Sequence, residues 1–129
     1  MRAIRGTVNR VELLGWAGDA PEHRSLASGV DVASFRVATR RIGPRGEDGE
    51  RSYETEWTTI EAWERLAVQV SSLVHRGSRV WVSGSLQTQS WEDRDSGARR
   101  WRVLVRAEEV LILDGRDEPA AAEAPDAGD

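Results

Sequence analysis

A chain of 129 residues has room for one core, so an enzyme with separate cofactor and substrate lobes is not expected. Hydrophobic residues at 39% and charged residues at 31%, with only 4 Pro, describe a chain that folds rather than a disordered or collagen-like one. The lack of Cys removes disulfides, thiol catalysis and cysteine-built zinc sites. The net charge of -4 conceals an uneven spread, with -5 on Asp114 to Asp129 and +1 on everything before it.

Alternation from Val8 to Leu13, stopped at Gly15, predicts a first strand, and Gly18-Asp19-Ala20-Pro21 a turn. A second strand is predicted from about Val30 to Thr39, with Ala33, Phe35 and Val37 on one face. Arg40 to Ser52 has turn chemistry and no period, which predicts a long loop or flexible hairpin tip. Alternation resumes from Tyr53 to Ala62. Leu66, Ala67, Val70, Leu73 and Val74 then form one stripe of a short amphipathic helix stopped by Gly77. Ser78 to Ser90 is a long strand, Glu92 to Ala98 a polar turn, and Arg99 to Leu113 a final strand.

Three strands, one helix and two strands, without alternating strand and helix units, predict an all-β, five-stranded OB-fold Greek-key barrel. Its helix lies between the third and fourth strands and can plug one end. The domain is expected to span residues 1–113. Residues 114–129 form a short acidic tail, and Glu118 to Asp129 holds no large apolar residue to offset the entropy of ordering, so disorder is expected there. No apolar run approaches a membrane span, and Met1 to Gly6 has no signal-peptide pattern, so the expected location is cytoplasmic.

Six Trp against one Phe and one Tyr raise the question of which way the indoles face. In the third predicted strand Thr58, Ile60 and Ala62 share the core face, and Trp57, Thr59, Glu61 and Trp63 the other. In the fourth, Val80, Val82, Gly84 and Leu86 form the apolar face, and Trp81, Ser83, Ser85, Gln87, Gln89 and Trp91 the polar one. An indole on a wet face is covered by something flat, either a nucleobase or a partner subunit. Trp57, Trp63 and Trp91 are assigned to bases and Trp81 to an interface or edge. Trp101 keeps parity with Val103 and Val105, opposite Arg100, Arg102 and Arg106, which predicts a core or barrel-edge position; Trp16, in a turn, is left unassigned.

All 18 basic residues are Arg, whose planar fork binds phosphate and stacks on bases. Arg40, Arg41, Arg45 and Arg51 in the long loop, Arg65 and Arg76 on the helix, and Arg94, Arg99, Arg100 and Arg102 around the last turn lie near the rings in sequence. They can track a phosphate backbone, or pair with acids such as Glu50 and Asp93.

Val8-Asn9-Arg10-Val11-Glu12-Leu13-Leu14-Gly15, Phe35-Arg36-Val37-Ala38-Thr39, Thr55-Glu56-Trp57 and Gly77 through Thr88, in that order, resemble the bacterial single-stranded DNA-binding protein family. The resemblance implies one OB domain per chain, a homotetramer, and nucleoid-associated coating of single-stranded DNA in replication, recombination and repair, with no cofactor. It places Trp57, Trp63 and Trp91 at the family's base-stacking positions and Arg24, Arg65 and Arg76 at its backbone-contacting ones. Arg40, Arg41, Arg99 and Arg100 complete the candidate interface. Trp81 and Thr58 fall at subunit-contact positions. The fourth stacking aromatic often found in the family's long loop has no counterpart near Ile42-Gly43-Pro44, although Tyr53 offers a substitute. Gln87, Gln89 and Ser90 stand where the family is usually basic. Gly128-Asp129 lacks the Pro-Phe tip through which the family docks replication and repair proteins, so that docking is not expected.

Another class fits less well: there is no Gly-x-x-x-x-Gly-Lys-Ser/Thr loop, no His pair at ligand spacing and no Ser-His arrangement, so an enzyme is not expected. Asp93-Arg94-Asp95-Ser96-Gly97 reads as a turn rather than a calcium loop. His23 and His75 read as surface residues. An OB-fold primosomal or adaptor protein working as a dimer is the alternative.

Overall fold

The computed structural model describes residues 6–113. The expected acidic tail and the first five residues lie outside the described residues. The elements run β1 (Val11–Ala17), β2 (Glu22–Ser25), β3 (Asp31–Arg45), β4 (Arg51–Trp63), α1 (Glu64–Leu73), β5 (Arg79–Glu92) and β6 (Arg99–Ile112). β1 pairs antiparallel with both β3 and β5, β3 with β4, and β5 with β6, while β4 and β6 run parallel. The ring β1-β3-β4-β6-β5 therefore closes on β1, giving the five-stranded OB barrel, with α1 after its third strand.

The sequence-based boundaries shift in four places, the first being that β1 runs through Gly15 and Trp16 to Ala17, past the expected stop. Asn9 precedes β1, yet its side-chain amide takes over the ladder by accepting from the Leu86 N–H at 2.8 Å and donating to the Leu86 carbonyl at 2.9 Å. β2 is an added edge strand on β3; its four residues are all exposed, so no alternation marked it. The expected long loop from Arg40 to Ser52 is mostly strand. Arg40 pairs with Thr55, Arg41 with Glu54 and Ile42 with Tyr53, and the chain reverses only around Gly46 to Gly49.

The core is built from the inward parity of each strand, including Phe35, Val37, Ile60, Ala62, Val80, Val82 and Val105. Ala67, Val70 and Val74, at helical spacing, join the same cluster, so α1 fills one end of the barrel; Leu66 is half-buried and Leu73, also in the predicted stripe, is exposed. Closure needs a tight approach of β5 to β6 at the bulge between Ser83 and Gly84. A Cβ on Gly84 would stand 2.1 Å from the Arg106 carbonyl oxygen, so only glycine fits.

Candidate nucleic-acid interface

β4 separates its side chains as the alternation requires. Ile60 and Ala62 are buried in the core and Thr58 is half-buried across from Val37, while Trp57 and Trp63 occupy the outer face. The rings do not stand bare, as the alternation alone suggested. Both are half-buried, and their cross-strand neighbours on the outer face, Ala38 beside Trp57 and Val32 beside Trp63, are buried without belonging to the core cluster. Each indole thus has a buried apolar neighbour at its side.

Each ring also carries a guanidinium. Arg36 Cζ lies 4.7 Å from the Trp57 centroid and Arg106 Cζ 4.4 Å from that of Trp63, both at cation–π distance. Arg36 is steadied by Asp19, through Nε at 3.1 Å and Nη2 at 3.0 Å. Gly18 abuts the same Trp57 ring: a Cβ there would sit 2.4 Å from its Cζ3 atom.

Glu61, between the two indoles in sequence, is only 2% exposed. Its Oε1 accepts from Trp63 Nε1 at 2.6 Å and its Oε2 from Gln89 Nε2 at 2.8 Å, so the buried carboxylate is satisfied from two strands. Gln89 Oε1 accepts in turn from Arg102 Nε at 3.2 Å. The chain of bonds ties β4, β5 and β6 together across the outer face.

Trp91 is 43% exposed near the end of β5, directly opposite Arg100. Arg100 shares its side of β6 with Arg102 and Arg106, and Asp93 holds it at 2.7 Å. That ion pair, with the backbone N–H groups of Asp95 and Ser96, keeps the Asp93 carboxyl below its ordinary range. Arg24 sits on β2 opposite Val32, the residue that Trp63 also faces, which brings Arg24 to the outer face beside that ring. Arg40 shares parity with Trp57 and lies 5.6 Å from the Tyr53 ring, which is itself exposed on that face.

Arg41 takes the opposite side of the β3–β4 hairpin. Glu54 at 2.6 Å and Glu56 at 3.1 Å hold it there, and the Glu54 hydrogen bond raises its pKa. Arg65 and Arg76 are exposed on α1 and just after it, and Arg99 is exposed opposite Glu92.

Trp101 departs from expectation. It is 64% exposed, because the β5–β6 hairpin runs on past the barrel end and its inward parity there has no core to meet. Trp81 is half-buried on the outer wall between Leu14 of β1 and Leu111 of β6, both exposed. Trp16 lies in β1 with Arg79 4.0 Å from its ring. Arg36, Arg106 and Glu61 are the residues of this face that were not candidates from the sequence, and Gln89 was noted there only for standing where the family is usually basic. Arg36 and Arg106 share parity with it and were within reach of the strand pattern; the contact of Glu61 with Gln89 joins residues 28 apart and was not.

Among the described residues no group of His, Cys, Asp and Glu side chains could hold a metal ion, and no helix is long and apolar enough to cross a membrane. A closed OB barrel with indoles and guanidinium groups gathered on one outer face belongs to the class of binding barrels. The chain belongs to the Single-strand binding protein family, whose family model matches residues 8–113; the family is one of non-enzymatic DNA-binding proteins. It is similar to Single-stranded DNA-binding protein 1 of Chlorobaculum tepidum, 34% identical over 110 residues, which cover 85% of this chain and 67% of that relative.

Proposed function

We propose that this chain binds single-stranded DNA without regard to sequence, and serves in replication, recombination and repair by covering exposed strands. The observation that carries the reading is the placement of Trp57, Trp63 and Trp91 on the outer parity of β4 and β5, the two strands that flank β6, with Arg24, Arg36, Arg40, Arg100, Arg102 and Arg106 on the same parity. Bases stack on the indoles, and stacking tolerates any base because every base has a π face. Guanidinium groups take the phosphates, a contribution that salt weakens. A duplex keeps its bases stacked on one another and offers none to the rings.

The assembly is a homotetramer in which the outer wall of Leu14, Trp81 and Leu111 is covered by a neighbouring subunit; its apolar, half-exposed character supports this. Thr58 joins a subunit contact as well, a role that the family resemblance supports. A titration with oligo-dT, followed by tryptophan fluorescence and by light scattering on the same samples, tests both statements. Saturable quenching with a tetramer mass is the expected result. A dimer mass would favour an adaptor role, and absence of quenching would remove the stacking reading.

A further inference from the structure

We propose that Arg102 is the phosphate anchor at the middle of the strand path, and that Gln89, itself set by the buried Glu61, is the positioning residue that holds it there. The inference rests on the strand-binding reading above and adds to it a phosphodiester subsite between two stacking rings.

The first ground is position. β4 and β6 run parallel where Ile60 lies beside Val105 and Glu61 beside Arg106, and Trp57 and Arg102 share the non-core parity of those two strands. Two surface depressions flank Arg102, and it lines both. One, of about 250 Å³, is shared with Ser34, Arg36 and Thr59 beside Trp57. The other, of about 490 Å³, is shared with Gln89, Ser90 and Trp91. A strand running from one ring to the other passes this guanidinium.

The second ground is orientation. The amide nitrogen of Gln89 can only donate, and it faces Glu61 Oε2 at 2.8 Å. The amide oxygen must then point the other way, where it receives Arg102 Nε. That bond uses the one nitrogen at the inner end of the fork. Among the described residues no hydrogen bond engages the terminal nitrogens of Arg102, which remain for an acceptor with two oxygens. A phosphodiester is such an acceptor and recurs between every pair of bases, so an anchor of this kind adds no sequence preference. The neutral Gln at 89, on a strand where the resemblance expects base, acts here by placing the charge of a neighbour. A cation at that position would be drawn to Glu61 instead.

The test uses the full chain and oligo-dT, read by tryptophan quenching over a series of NaCl concentrations, for the wild type, R102Q, R102K, Q89L and the R102Q/Q89L pair. R102Q is expected to weaken binding by about tenfold, in line with the loss of a charge-assisted hydrogen bond, and to reduce the salt slope by about 0.7 for one phosphate contact. R102K should restore the slope but not the full affinity, since an ammonium cannot copy the fork. Q89L should lose nearly as much as R102Q, and the pair no more than R102Q alone. R102Q with wild-type affinity and slope would overturn the anchor, and a Q89L loss that adds in full to that of R102Q would overturn the positioning role. If Q89L does not fold, R102Q against R102K still decides the anchor. Wild-type chain that shows no quenching would overturn the strand-binding reading as well, which separates that failure from one confined to R102Q.

Discussion

The indole N–H of Trp63 donates to the Glu61 carboxylate at 2.6 Å, and that carboxylate is almost wholly withdrawn from water. An indole of the proposed interface thus doubles as a partner for a buried carboxyl group. Substituting Trp63 by Phe keeps a ring but deletes the donor, leaving Glu61 with Gln89 alone among its described hydrogen-bond partners. We expect W63F to unfold at lower urea concentration, with a loss of about 1.5 kcal/mol typical of a hydrogen bond to a charged group, while it retains more oligo-dT affinity than W63A. Equal stability of W63F and wild type would show that the bond carries no net weight.

Gly18 sets where the Trp57 ring lies. A methyl group there would meet Cζ3 of Trp57 at 2.4 Å, and its neighbours Asp19 and Arg36 fix the guanidinium over the same ring. G18A is expected to displace the indole and weaken oligo-dT binding several-fold, with an overpacking cost to stability of about 1 to 3 kcal/mol. A G18A chain that binds as tightly as wild type would show that the ring position is not critical.

Glu64 opens α1 with φ of 59°, in the left-handed region that favours glycine. Strain of this kind costs about 1 to 2 kcal/mol, and Gly gives back part of the relief through its own greater unfolded-state freedom. We expect E64G to raise stability by about 0.5 to 1 kcal/mol in thermal or chemical denaturation. The substitution follows Trp63 directly, so unchanged quenching by oligo-dT would show that the strain does not serve to aim that ring.

Acid should loosen two surface clasps. The hydrogen bonds of His23 and then Ser25 hold the Asp31 carboxyl below its ordinary value of 3.8, and Arg100 does the same for Asp93. Each carboxylate is easier to protonate in the unfolded chain than in the folded one, so its contribution is present above pH 3.8 and disappears as the pH falls through the lower folded value. In D31N the acid limb of a stability-against-pH curve should flatten over that window. An unaltered limb would mean the His23–Asp31 contact at 2.9 Å is energetically idle.

Much of the barrel was legible because its strands obey a two-residue period on the core side: Phe35 and Val37, Ile60 and Ala62, Val80 and Val82 all fall where alternation puts them. β2 escaped notice because Glu22 to Ser25 carries no apolar residue, and the Arg40 to Ser52 strands because polar side chains and Gly43-Pro44 imitate a loop. The tryptophans split along the same line. Parity found the outer face for Trp57 and Trp63, but it assumed that a face pointing inward has something to meet, which fails for Trp101 beyond the barrel end. Glu61 shows the converse limit: it has the parity of a solvated acid, and only the arrival of Gln89 from β5 and the turn of the Trp63 indole make burial tolerable.

The central claim is that unpaired bases lie on Trp57 and Trp91, and its most direct measurement is the oligo-dT affinity of W57A and W91A, with duplex of equal length as competitor. Each variant should lose roughly 1 to 3 kcal/mol of binding, and duplex should compete poorly against the wild type. Wild-type affinity in both variants, or duplex competing as well as single strand, would contradict it.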